Sequence, residues 1–394
     1  MRVGRVKHWA VVGVWFLPTL LAAFYTAATL NSGGGVWPWA PGMADFGVYV
    51  RTGQLVVAGG DIFHTQDLPW VYPPFAALLA VPISLPPITL SAALWTLGCV
   101  VALVAVLYRM GLSGWKLSLA SFVCVLAVTP VHETIGFGQL GIFLVAAAIL
   151  DSMPGPRVFK RRLFPEGVLV GLAAAVKLTP AAIAAQSFFA GRRKPGLVAF
   201  AAFAGATMIG FAVLPSASAY YWWGLIQGNT GINSGIVYGT NQSLMAALAR
   251  ATHGANAAEL GVAALVAVAG IVVSVWVEKA GNKRLAICLA GLTSLLASPI
   301  SWSHHFVWVV PLGLVLWQEA KLPAWYRWLG FGYIAWMIAA WYEAVPRGAD
   351  IELTYSWTEQ ILTNIGPVYG LLFLLSGFLL VRGSKGTVPL APLP

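Results

Sequence analysis

The sequence has 394 residues, 59% of them hydrophobic and only 9% charged. Soluble domains carry roughly a quarter charged residues, so a water-soluble fold is excluded and a polytopic membrane protein is expected. The net charge of +10, from 23 basic and 13 acidic residues, is the kind of excess that sets orientation in a bilayer; it is a poor argument for nucleic-acid binding.

Arg2, Arg5 and Lys7 resemble the flank of a signal peptide, but the apolar run that follows, residues 9–30, is too long for an ordinary signal core. An uncleaved first transmembrane helix is expected. Further apolar segments fall at 88–108, 116–130, 138–153, 195–214, 257–277, 284–300, 304–319, 325–343 and 360–382. Cys99, Cys124 and Cys288 sit inside such runs with no metal-ligand spacing and read as small buried hydrophobes.

Two stretches break the pattern. Residues 74–86 are short and punctuated by proline, which predicts a re-entrant helix. Residues 167–190 are long but interrupted by Lys177-Leu178-Thr179-Pro180. Basic residues at Arg109, Lys116, 157–162, 192–194, Lys279, Lys283, Arg284 and Lys321 are expected to be cytoplasmic, with both termini. Both flanks of 167–190 then lie on one side, so the segment turns back with Lys177 at its tip inside the membrane. The count is about 12 helices in a single domain over 1–382, followed by a disordered cytoplasmic tail. Most acids then face the other side: Asp45, Asp61, Asp67, Glu133, Glu343, Asp350, Glu352 and Glu359.

Polar residues at membrane depth are costly and point to function. Here they are Asp45, Tyr72, His132, Glu133, Gln139, Lys177, Asn241, Gln242, His304 and His305, each at an outward-facing helix end or hairpin tip. Such a set predicts one outward-opening cavity. Each has a plainer alternative. Asp45 suits a helix N-cap, Lys177 can snorkel to a headgroup, and Asn241, Gln242 and Tyr72 can cap helix ends. Asp350 and Glu352 resemble a carboxylate pair for a divalent ion, although a solvated loop is the better reading. Trp37, Trp39, Trp222, Trp223 and Trp302 lie near external loops, where most tryptophans serve the interface and only a minority stack on sugars.

The blocks "DFGVYVRTGQLVVAGGDIFHT", "YPPFAALLAVP", "GFGQLGIFLVAAAILD", "GLAAAVKLTPAAIA", "NQSLMAALAR" and "SPISWSHHFVW" occur in order between about residues 45 and 310. This succession resembles the GT-C glycosyltransferases of actinobacteria that use polyprenyl-phosphate-mannose to make α-1,2 linkages, and most of all those that extend phosphatidylinositol mannosides. The resemblance implies an all-α GT-C membrane fold with external amphipathic helices. It also implies inverting transfer of mannose from the donor lipid to a phosphatidylinositol mannoside acceptor, outside the cytoplasm at the plasma membrane. Asp45 has the family's position for the general base that takes the acceptor proton. Lys177, His304 and His305 are the expected donor-phosphate ligands. Tyr72, His132, Glu133, Gln139, Asn241, Gln242 and Trp302 are the expected substrate contacts, with no cofactor and no metal. A related lipid-linked transferase, such as an arabinofuranosyl or lipomannan-branching enzyme, shares these features. A lipid or sugar transporter shares the helix count, but the inverted repeats that would favour it are not found.

Overall fold

A computed structural model describes residues 2–65, 68–159, 161–227, 235–254 and 257–383. The side chains of 2–14, 257–258 and 382–383 lie outside the described residues. So do Asp67, Lys160 and 384–394, where the expected tail falls.

The described chain is helical. In order the helices are α1 (Arg2–Thr29), α2 (Ala44–Ala58), α3 (Pro74–Ser84), α4 (Ile88–Arg109), α5 (Gly114–Ala127), α6 (Thr129–Phe137), α7 (Gly141–Ser152), α8 (Val168–Val176) and α9 (Ala181–Phe189). They continue with α10 (Arg193–Val213), α11 (Pro215–Ile226), α12 (Leu244–Ala251), α13 (Ala257–Lys279), α14 (Lys283–Leu296), α15 (Val309–Gln318), α16 (Ala324–Ala339) and α17 (Trp357–Gly383). A 3-10 helix, Ser303–Trp308, precedes α15. Among the described residues there is no strand, only single bridges between Gly35 and Ala40 and between Asn241 and Trp302.

The starts and stops follow local chemistry. Asn282 and Ser243 cap α14 and α12, their side-chain oxygens accepting from Leu285 N at 2.9 Å and Ala246 N at 3.1 Å. Gly59 and Gly138 end α2 and α6 in the left-handed conformation that closes a helix. Helix α14 is buried nearly all round, from Leu285 to Leu296, and forms the centre of the bundle. Helix α2 lies on α3 because Gly53 has no side chain: a Cβ there would sit 2.4 Å from the Ala80 carbonyl oxygen.

The hairpin expected at 167–190 is present. A Cβ on Gly167 would meet the Pro195 carbonyl oxygen at 2.2 Å, and one on Gly196 would meet Phe188 Cβ at 2.7 Å. The start of α8 and the end of α9 therefore both pack on the first turns of α10, and Lys177 stands at the far end between them.

Four described helices are long and apolar enough to cross a bilayer alone: Ile88–Arg109, Arg193–Val213, Glu259–Lys279 and Trp357–Val381. Helices α5 and α6, bent by 75°, bring the number to five at most, if the pair is one broken span and not a re-entrant loop. The expected count of about 12 is not reached by this measure, for a physical reason. The 12-residue α7, the two 9-residue arms of the hairpin and the 10-residue α15 stop short of a bilayer's width. At one end each meets backbone that is not α-helical and is buried or half-buried: residues 138–140 before α7, 177–180 between α8 and α9, and the 3-10 helix before α15.

Candidate active site

The site is assembled where these short helices stop. Asp45 stands in the first turn of α2, behind Met43, whose side chain makes no cap hydrogen bond. The carboxylate does not cap its helix. It accepts a hydrogen bond from the Gln139 side chain, half-buried and within the electrostatic reach of Lys177. Burial pushes its carboxyl up to about 6, against the opposing pull of the Gln139 hydrogen bond and the Lys177 charge.

Gln139 is fixed by its surroundings. Its Oε1 accepts from the Tyr49 hydroxyl at 2.9 Å, the Tyr72 hydroxyl at 3.3 Å and Leu140 N at 3.3 Å. With the oxygen so committed, its amide N–H is the group that meets Asp45. The two phenols are 3.4 Å apart, and Trp70 and Trp95 pack around the Tyr49 ring. Tyr49 is absent from the residues expected from sequence. The available signal is its spacing: Asp45 and Tyr49 are four apart on one helix, hence on one face.

Lys177, where α8 ends, reaches into the same space. Its Nζ lies 2.9 Å from His305 Nε2 and 5.5 Å from the centre of the Tyr72 ring. His305 Nδ1 accepts the Trp302 backbone N–H at 3.1 Å, which orients the imidazole. The His304 ring lies perpendicular to it, 4.6 Å away, and rests against Phe137. Its Nε2 is buried with no hydrogen-bond partner among the described residues. A crevice runs on from Lys177 between Thr179, Ile183, Leu144, His305 and Trp308. Its lining combines the Lys177 ammonium, the Thr179 and Ser294 hydroxyls and the His305 ring with apolar side chains.

The remaining expected residues are placed differently. His132 Nδ1 lies 3.1 Å from the Val125 carbonyl oxygen and 3.4 Å from Thr26 Oγ1, in the packing of α1 against α5 and α6. Glu133 accepts from Ser303 Oγ at 2.5 Å and lies beside Glu343, a neighbour that sequence did not single out.

Asn241 and Gln242 are fully buried. Asn241 Nδ2 donates to Ile236 O at 2.9 Å and Pro299 O at 3.0 Å, while its Oδ1 accepts from Ser243 N and Ser301 N. With those bonds made, Asn241 braces the backbone leading to the two histidines. Gln242 Nε2 likewise donates to Gly239 O and Thr363 O. Trp302 stacks edge-on to Tyr238 beside this brace. Arg250, missed in the sequence, is fully buried and donates to Val237 O, Tyr238 O, Asn241 O and Asn364 Oδ1. Its only sequence signal is a cation on an otherwise apolar helix. Glu352 corrects the expectation of a solvated pair: Asp350 is exposed, but Glu352 is buried and accepts from Gly239 N at 3.1 Å and Gly348 N at 2.8 Å.

Residues 70–299 match Glycosyltransferase family 87, more than half of the chain. Over 301 residues the chain is 32% identical to a polyprenol-phosphate-mannose-dependent alpha-(1-2)-phosphatidylinositol mannoside mannosyltransferase of Mycobacterium tuberculosis, covering 68% of each chain. A pentamannoside mannosyltransferase of the same species, also polyprenol-phosphate-mannose-dependent, is 32% identical over 317 residues, 75% of this chain and 72% of that one. A phosphatidylinositol mannoside mannosyltransferase of Mycolicibacterium smegmatis is 31% identical over 296 residues, 67% of this chain and 66% of its own length. No solved structure matches. The chain thus belongs to glycosyltransferase family 87.

Proposed function

We propose that the protein transfers mannose from a polyprenyl-phosphate-mannose lipid to a mannosylated phosphatidylinositol, with inversion, forming an α-1,2 linkage on the extracytoplasmic side of the plasma membrane. One relationship carries this reading: a half-buried carboxylate, Asp45, stands within electrostatic reach of a half-buried cation, Lys177. Inverting transfer needs both. The acceptor hydroxyl attacks the anomeric carbon and gives its proton to the Asp45 carboxylate. The bond from that carbon to the donor phosphate oxygen breaks, and its electron pair leaves with the polyprenyl phosphate. Lys177 Nζ and the unpartnered His304 Nε2 meet the charge that develops there. Leu144, Ile183 and Trp308 line the crevice beside Lys177, apolar side chains of the kind a lipid donor would meet.

The distribution of charge supports the sidedness. Arg162 with Asp151, and Arg192 with Glu166 and Glu278, form ion pairs at the opposite end of α7 and the hairpin from Asp45. Basic residues of this kind stay cytoplasmic. Purified protein, supplied with a panel of polyprenyl-phosphate sugars and phosphatidylinositol mannosides, tests the proposal. An α-1,2-mannosylated product from the mannosyl donor alone is expected. Transfer only from an arabinofuranosyl donor, or a different linkage, overturns it.

A further inference from the structure

At the end of the bundle away from Asp45 lies a second cavity, of about 380 Å³, which the reaction does not use. It is walled by Arg109 and Met110 at the end of α4, the Pro154-Gly155-Pro156 turn after α7, Arg284 in the first turn of α14, and Gln318 at the end of α15. Two arginines facing one cavity, with few acids to offset them, is a costly arrangement in a chain that is only 9% charged.

The guanidinium groups are held but not saturated. Arg109 is buried and donates Nη1 to the Met153 carbonyl oxygen at 3.0 Å. Arg284 donates Nη1 to Glu319 at 3.3 Å and Nη2 to Gln318 Oε1 at 2.5 Å and the Met110 carbonyl oxygen at 3.4 Å. Both keep a buried Nε–H with no partner among the described residues. Arg157 and Arg162 add positive charge within reach of Arg109. The nearby acids are engaged: Asp151 accepts from Arg162, Gly167 N and Val170 N, and Glu319 accepts from Arg284. Capping helix carbonyls explains the bonded nitrogens but neither the two free N–H groups nor the space between them.

The level of the cavity in the bilayer is marked by aromatic side chains. Trp317, beside Gln318, is 72% exposed, and Trp328 on α16 is 73% exposed. Trp115, at the start of α5, is exposed with Lys116 over its ring. Exposed tryptophans in such a belt sit at the headgroup level of a membrane. Basic pockets between helices at that level accept lipid phosphates, and arginine's fork of N–H donors suits phosphate oxygens. We infer that this cavity binds the phosphate of an anionic phospholipid headgroup, held by Arg109 and Arg284, in the leaflet opposite the catalytic site.

Thermal-shift and native mass spectrometric titrations of the purified full chain test this, using phosphatidylglycerol, phosphatidylcholine and inorganic phosphate as probes. One phosphatidylglycerol is expected to bind at least about tenfold more tightly than phosphatidylcholine and to raise the melting temperature. Arg284→Gln, and Arg109→Gln with Arg284→Gln, should lose that preference, while Lys116→Gln keeps it. Should the double variant fail to fold, Arg284→Gln alone, compared with Arg284→Lys, still decides, because the lysine retains charge and should retain part of the preference. Equal binding of phosphatidylglycerol by wild type and folded Arg284→Gln overturns the site. Stabilisation by inorganic phosphate as large as by the lipid overturns the headgroup as its occupant.

Discussion

Lys177 Nζ lies 2.9 Å from Nε2 of His305, a residue 128 positions further along the chain. The contact joins the tip of a broken hairpin to the 3-10 helix before α15 and sets two nitrogens on the crevice wall, with the His304 ring 4.6 Å from that of His305. A hydrogen bond to a charged group is worth about 1.5–3 kcal/mol, so Lys177→Ala should weaken donor binding by about 10–100-fold and slow turnover as well. Titration of the folded variant with polyprenyl phosphate gives the binding part separately. Unchanged affinity there removes Lys177 from the donor site.

The Asp45 carboxyl, held at about 6 by burial, should leave its mark on the acid side of the pH profile. A carboxylate raised by burial is ionised only above that value, and only the ionised form accepts a proton. The quantity kcat/KM should therefore fall about tenfold per unit as pH drops below about 6 and level off above about 7. A profile that stays flat to pH 4.5 excludes a base with this ionisation.

Much of this arrangement was legible in the sequence. Basic residues on both flanks of 167–190 and the Lys177-Leu178-Thr179-Pro180 break required a segment that turns back, and the contacts of Gly167 and Gly196 with α10 and α9 show that it does. The group of Asp45, Tyr72, Gln139, Lys177 and the two histidines follows from the cost of polar atoms at membrane depth. Hydropathy cannot say which polar groups use up their hydrogen bonds on their own backbone. Asn241 and Glu352 look like substrate ligands or loop residues until their partners are seen. Nor does a window of apolar residues distinguish a full span from a short helix continued by enclosed backbone, which is why the expected number of spans exceeds the number of helices long enough to make one.

Glu352 holds two glycine amides, Gly239 N and Gly348 N, and so ties the loop before α12 to the loop before α17. Glu352→Ala leaves both donors without that acceptor, and a buried unsatisfied amide costs about 1–3 kcal/mol. A melting temperature lowered by several degrees, with transfer per folded molecule little changed, is the expected result. Loss of activity at full stability would instead bring Glu352 into contact with substrate.

Transfer should continue in excess EDTA. The leaving group is a lipid monophosphate, and Lys177 with His304 Nε2 supplies cationic and hydrogen-bonding groups where its charge develops. The measurement is initial rate before and after chelation. Activity that disappears and returns with Mg²⁺ or Mn²⁺ assigns that charge to a cation instead of to these nitrogens.

The base itself is tested by Asp45→Asn. Asparagine keeps the size of the side chain and one oxygen to accept the Gln139 hydrogen bond. Asp45 does not cap α2, where Met43 precedes the first turn without a side-chain bond, so the helix start should survive the change. Folding and donor affinity should therefore remain close to wild type. An amide cannot take a proton at neutral pH, and a positioned general base contributes roughly 10²–10⁴-fold, so turnover should fall by at least about 100-fold. The Lys177→Ala variant is the matched comparison, because it should change donor affinity as well as rate. If Asp45 served only to pack against Gln139, asparagine would be tolerated and alanine would lower stability. The deciding measurement is mannosyl transfer by Asp45→Asn and wild type at equal folded concentration. Near-normal turnover in the asparagine variant eliminates Asp45 as the base and moves attention to Glu133, the next buried carboxyl among the expected site residues.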